Sequence, residues 1–124
     1  MYFRSLVTAL IFACVPSVAS TQIDPATLAK AKQGNAVAQY NLSVMYSKGD
    51  GVGINIVQAY IWFSAAGANG EAKGSKNKAS LANRMGYKQT AMAELLAQRC
   101  LRSDYKKCVD NSTRRVPMPK RTEN

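Results

Sequence analysis

Two serine–lysine pairs stand at a spacing that can turn a hydroxyl into a nucleophile: Ser75-Lys-Asn-Lys78 and Ser103-Asp-Tyr-Lys106. The Ser-x-x-Lys arrangement serves acyl transfer and β-lactam binding when Ser-Asp-Asn and Lys-Thr-Gly accompany it, and neither companion occurs here. A serine hydrolase or β-lactam-binding activity is therefore the last of the readings. The chain has no histidine, so the commonest general base and metal ligand at neutral pH are missing. Its seven carboxylates are scattered, and no spacing pairs them for acid–base work. Gly49-Asp50-Gly51-Val52-Gly53 has the glycine content of a phosphate cradle, but it follows a helical pattern rather than a strand and lacks the Gly-Lys-Ser/Thr ending. No catalytic residue, cofactor or metal is expected.

Cysteine chemistry leads to the question of compartment. Met1-Tyr-Phe-Arg4, an apolar run from Leu6 to Val15 and the small residues Ser17 and Ala19 have the order of a cleavable secretory signal, with the run too short to span a bilayer. Residues 1–19 read as a signal peptide cut after Ala19, and the product as periplasmic or secreted. Ile11-Phe12-Ala13-Cys14 has the outline of a lipobox, which would make Cys14 a lipid anchor, although Phe12 departs from that pattern. Beyond the signal two cysteines remain, Cys100 and Cys108, an even count in an oxidising compartment, and a disulfide between them is the natural reading. With no histidine and no further cysteine they cannot complete a tetrahedral metal site. The net charge of +10 falls by one when Arg4 is removed. A chain so basic favours acidic partners in general.

The elements that would position these groups read as helices. Asp24-Pro25 is a helix start, with a short helix over 26–33 stopped by Gly34-Asn35. Ala38, Leu42, Met45 and Tyr46 fall on one face of a second helix that ends near Lys48. Asn55 caps a third, in which Ile56, Ala59, Trp62, Phe63 and Ala66 keep helical spacing until Asn69-Gly70. Leu81, Ala82 and Met85 mark a fourth, broken at Gly86, and Met92, Leu95, Leu96 and Cys100 mark the apolar face of a fifth. No segment alternates with the period of an exposed strand, so the fold class is all-α. Residues 24–108 form one domain. The stretch 109–124 has four basic residues and two prolines without apolar periodicity, and reads as a basic disordered tail without a transmembrane segment.

The best-ordered part, residues 31–70, resembles the Sel1-like repeat, a relative of the tetratricopeptide repeat. The resemblance is carried by Ala38, Leu42, Met45, Tyr46, Gly49, Gly51 and Val52 in the first half, and by Ala59, Trp62, Ala65, Ala66 and Gly70 in the second. Ser43 stands where the family usually has glycine, and Asn55 where it often has aspartate. Residues 71–108 look like a degenerate second unit. The resemblance implies antiparallel helix-turn-helix repeats in a short right-handed solenoid whose concave face binds proteins, hence an adaptor rather than an enzyme.

Val37, Tyr40, Asn41 and Val44 make a second stripe on the first repeat helix, turned away from Ala38, Leu42 and Met45. Either it lines a groove for an unidentified protein partner, or it packs against helix 26–33 or the next unit. Trp62 and Tyr60 read as core and rim rather than as a platform for stacking bases, so nucleic acid is not the expected partner. The alternative within the binding class is a cationic surface protein whose tail engages an anionic lipid or polymer of the envelope.

Overall fold

A computed structural model describes residues 23–109 of the 124; the expected signal segment, Cys14 and the basic tail from residue 110 onward lie outside the described residues. The fold is an all-α helical repeat, with five helices among the described residues: α1 (Pro25–Lys32), α2 (Ala36–Lys48), α3 (Ile56–Ala68), α4 (Ala72–Arg84) and α5 (Tyr87–Arg102). Among the described residues there is no strand.

Local chemistry sets the helix starts. Asp24 accepts from the Thr27 amide at 3.1 Å and its hydroxyl at 3.0 Å, bonds that hold its carboxyl below the usual carboxylate range. Asn35 accepts from the Ala38 amide at 2.9 Å, and Asn55 from the Gln58 amide at 3.0 Å. Asparagine at 55 thus does the capping expected of it without a charge. Gly49 ends α2 in the left-handed region at φ 77°, where a side chain would be strained and would also meet Ile54 Cγ1 at 2.8 Å. The loop returns when the Asn55 amide donates to the Tyr46 carbonyl at 2.9 Å.

The organising element is α3. Its sequence carries no charge, and it is buried without a break from Val57 to Ala66. A helix apolar all round must be covered all round, and α2, α4 and α5 all pack against it, while α1 packs on α2. Trp62, fully buried, is the largest side chain in this core, with Leu42 and Ile61 among the other fully buried ones.

The contact between α3 and α4 is made by backbone. A Cβ at Gly74 would lie 2.8 Å from the Gly67 nitrogen, 2.9 Å from the Phe63 carbonyl oxygen and 2.9 Å from Ala66 Cβ, and one at Gly67 would collide with the Ser75 hydroxyl. Gly67 and Gly74 let the two helices approach until backbone meets backbone, with only the Ala66 methyl and the Ser75 hydroxyl at the contact, which fixes where the second unit sits on the first.

Ser43 is fully buried and folds its hydroxyl back onto the Gln39 carbonyl at 2.8 Å, so its polar group is satisfied within α2. Leu95 departs from its expected place: it is 70% exposed, and the buried face of α5 is Ala93, Ala97 and Cys100. The physical reason is that α5 is the last helix among the described residues, with α3 as its principal neighbour, so among those residues no helix packs on its Leu95 flank.

Candidate functional site

The expected stripe on α2 divides in two. Val37, 59% exposed, and Asn41 face outward, whereas Tyr40 and Val44 are half-buried against the core. The Tyr40 ring lies 5.7 Å from that of Phe63 on α3, and its hydroxyl accepts from Asn77 Nδ2 of α4 at 3.3 Å. Tyr40 thus bridges α2 to α4 across α3 and makes the floor of a shallow face between them. On the α4 side Lys73, Ser80 and Arg84 share by helical spacing the side of the helix on which Asn77 meets Tyr40. Neither α2 nor α4 contains a carboxylate; the α2 wall presents Val37 and Asn41, and the α4 helix carries Lys73 and Arg84, with Glu71 at its cap.

The remaining expected positions are structural. Ala38, Leu42, Tyr46, Ala59, Trp62, Ala65 and Ala66 are buried, while Met45 and Val52 are half-buried. Gly49, Gly51 and Gly70 all take positive φ, at 77°, 72° and 98°. Cys100 and Cys108 are joined as a disulfide, both buried, with their Cα atoms 4.3 Å apart.

Two polar knots behind the face were not foreseen. In the first, fully buried Gln39 donates from Nε2 to the Ala31 carbonyl at 2.9 Å and accepts at Oε1 from Asn69 Nδ2, also at 2.9 Å. Asn69 Nδ2 also donates to the Tyr105 hydroxyl at 2.7 Å. One amide therefore ties the ends of α1 and α3 to α2, and through Asn69 to the segment after α5. Tyr105 lies in the left-handed region at φ 63° with its ring against Gly34, within 3.2 Å of where a Cβ would stand. The disulfide loop thus folds back onto the turn between α1 and α2.

In the second knot, Glu94 of α5 accepts from the Tyr60 hydroxyl of α3 at 2.6 Å, from Gln98 Nε2 at 2.9 Å and from Lys78 Nζ of α4 at 2.9 Å. Lys78 Nζ also sits 5.2 Å from the centre of the Tyr60 ring, a cation–π contact. The Tyr60 hydrogen bond, followed by those of Gln98 and Lys78, holds the Glu94 carboxyl down at about 2. Burial, reinforced by Glu94, pushes the Tyr60 hydroxyl above its ordinary range. Because the folded-state value is depressed, this contribution to stability is complete above the ordinary value of 4.5 and fades as pH falls toward 2. Glu94→Gln should lower stability by about 1 kcal/mol at pH 7, a modest figure because the knot is partly open to solvent. Its melting temperature should also change less between pH 5 and pH 3 than that of the parent. Parallel pH series of thermal melts would check both expectations.

No group of side chains among the described residues could hold a metal, and Ser75 and Ser103 are not joined to a base. Ser103 gives its hydroxyl hydrogen to the Cys100 carbonyl at 2.9 Å and accepts the Lys107 amide at 2.9 Å, so it caps a helix end. The disulfide fits an oxidising compartment. Among the described residues no helix is long and apolar enough to cross a membrane.

No curated protein and no solved structure matches the chain. The family model of the Sel1 repeat matches residues 36–71, the span from the first residue of α2 to the cap of α4. Such repeats are helical scaffolds that mediate protein interactions, and the cap positions, the glycine turn and the buried alanine-rich second helix agree with that match over residues 36–71, consistent with a Sel1-like repeat there.

Proposed function

We propose that the chain is an exported adaptor, released from a signal peptide at 1–19 into the periplasm or medium, that receives a protein partner on the face between α2 and α4. The observation that carries this reading is the composition of that face: an exposed valine and asparagine on the first helix of a Sel1 repeat, beside a neighbouring helix with cations and no carboxylate. Val37 supplies an apolar anchor point, Tyr40 and Val44 shape the floor, and Lys73 and Arg84 complement an acidic segment on the partner. Asn41 offers a hydrogen-bonding amide in the middle. The disulfide supports export, since such bonds persist where thiols are not kept reduced.

A photo-crosslinking residue at Asn41, compared with one at exposed Lys88 on α5, tests the assignment. Crosslinks to a defined protein should form from position 41 and not from 88. Val37→Glu should abolish them while thermal unfolding stays within about 0.5 kcal/mol of the parent, as expected for a surface change. Equal crosslinking from both positions, or a Val37→Glu protein that still binds, would refute the groove. N-terminal sequencing of the mature protein should begin near Ser20; a start at a diacylated Cys14 would replace release with membrane anchoring.

A further inference from the structure

We propose that the solvent face of α5 is a docking surface for an anionic phospholipid bilayer. Helical geometry puts Tyr87, Lys88, Ala91, Leu95 and Arg102 within about 100° of arc on this helix. That arc lies opposite Ala93, Ala97 and Cys100, the side buried against the core. All five are exposed, and Tyr87 at 89% and Leu95 at 70% are the two most exposed large apolar side chains among the described residues. Apolar residues scattered singly over a surface need no partner, but these two share one ridge with cations at both of its ends.

The charges around the ridge decide the sign of what covers it. Between Tyr87 and Lys107 the exposed charged side chains are Lys88, Arg99, Arg102, Asp104, Lys106 and Lys107, one carboxylate against five cations. Arg99 is already engaged, and Glu94, the single acid of α5, is held by Tyr60, Gln98 and Lys78. Lys88 marks one end of the ridge, and Arg102 with Lys107, which line one depression, marks the other. An anionic surface complements this arrangement. A second copy would set the basic ridge against another of the same sign, and the chain's own C-terminal segment brings Arg114, Arg115, Lys120 and Arg121.

Shape selects among anionic surfaces. The ridge is convex, with Tyr87 and Leu95 about 12 Å apart along the helix axis and the Ala91 methyl between them, so a protein would have to bring a groove fitted to it. A bilayer needs no complementary shape. Its headgroups meet Lys88, Arg102 and Lys107, its upper acyl layer takes Leu95, and the Tyr87 ring, apolar in body with a polar hydroxyl, rests at the boundary. Attachment is peripheral and reversible, since two apolar anchors and a few cations hold it. The surface does not include the face between α2 and α4 and does not depend on the partner proposed there.

The test is co-sedimentation of the protein from Ser20 to Asn124 with vesicles of phosphatidylglycerol and of phosphatidylcholine, over a salt series. Binding selective for phosphatidylglycerol and weakened by salt is expected. Tyr87→Ser with Leu95→Ser should lower the partition coefficient about tenfold or more, because both variants lose an apolar group that the bilayer takes up. Lys88→Gln with Arg102→Gln should lower it by about as much. All four positions are exposed, so circular dichroism should show the helicity of the parent. Leu95→Trp adds a readout of depth: its emission should shift to the blue and be quenched by phosphatidylglycerol brominated on its acyl chains, whereas that of Val37→Trp on α2 should not. Equal sedimentation with phosphatidylcholine, or none with either lipid, would overturn the proposal. Phosphatidylglycerol binding that survives Tyr87→Ser with Leu95→Ser would also overturn it, by assigning attachment to charge alone. So would an unquenched Leu95→Trp in sedimented protein, or crosslinking of residue 95 to an acidic protein while vesicles are present.

Discussion

Trp62→Ala should remove the cooperative thermal transition of this protein. The indole is fully buried at the middle of α3, a helix covered on every side, so truncation leaves a cavity that three packed neighbours cannot easily collapse. Large-to-small changes of this kind cost about 3–5 kcal/mol, and domains this small often have only about 5 kcal/mol in total. Trp62→Phe should be much milder. It keeps most of the ring volume and also deletes an indole N–H that is buried without an acceptor among the described residues, a group whose desolvation costs about 1–3 kcal/mol. Urea unfolding followed by far-ultraviolet circular dichroism compares the two. An alanine variant within about 1 kcal/mol of the parent would mean that the core is far more plastic than close packing allows.

The second large effect is expected at the disulfide. Cys108→Ser removes a cross-link between residues eight apart, which in the chain-entropy model is worth about 2.5 kcal/mol. More than that closure is at stake. The loop holds Tyr105 in a left-handed conformation that costs a non-glycine residue about 1 kcal/mol or more, and Tyr105 reaches Asn69 and Gly34, at the far side of the fold in sequence. Released, the loop can relax, and its hydrogen bond to the end of α3 is broken. The variant should therefore unfold with a melting temperature lower by about 10 °C or more, on the usual conversion for a domain of this size. Amide exchange should rise at Gly34 and Asn69 as well as around residue 108. Faster exchange confined to residues 100–108 would show the loop to be an isolated staple.

The pattern of what could be read from the residues has a physical cause. Capping side chains act on amides two or three residues away, so Asp24 and Asn55 announced their helices, and the Gly49 turn announced its reversal, whereas Asn35, read only as part of the stop of the first helix, also caps α2. Helical spacing identified α3 as core because a helix with no charge has only one place to go. The same spacing put Leu95 inside, wrongly, since periodicity reports a face but not whether a neighbour exists to cover it. Gln39 with Asn69 and Tyr105, and Tyr60 with Lys78 and Glu94, join positions thirty or more residues apart in sequence, apart from the closer pairings that Lys78 makes. No local signal marks such partners; an uncharged glutamine in a buried helical position was the nearest available hint. Gly67 and Gly74 carry no signal of their own in the sequence, yet they are where two helices meet.

That glycine crossing has a consequence for recognition. Side-chain interfaces can slip by trading one rotamer for another, but a close approach of backbone to backbone leaves little room for an alternative setting, so the angle between the first unit and α4 is fixed by the fold itself. On the proposed reading, association on the face between α2 and α4 would proceed as a lock receiving a key, with the entropy of ordering borne almost wholly by the incoming segment. Affinity would be set by how stiff that segment is, and a cyclised version of a bound peptide should gain in proportion to the freedom it no longer has to surrender.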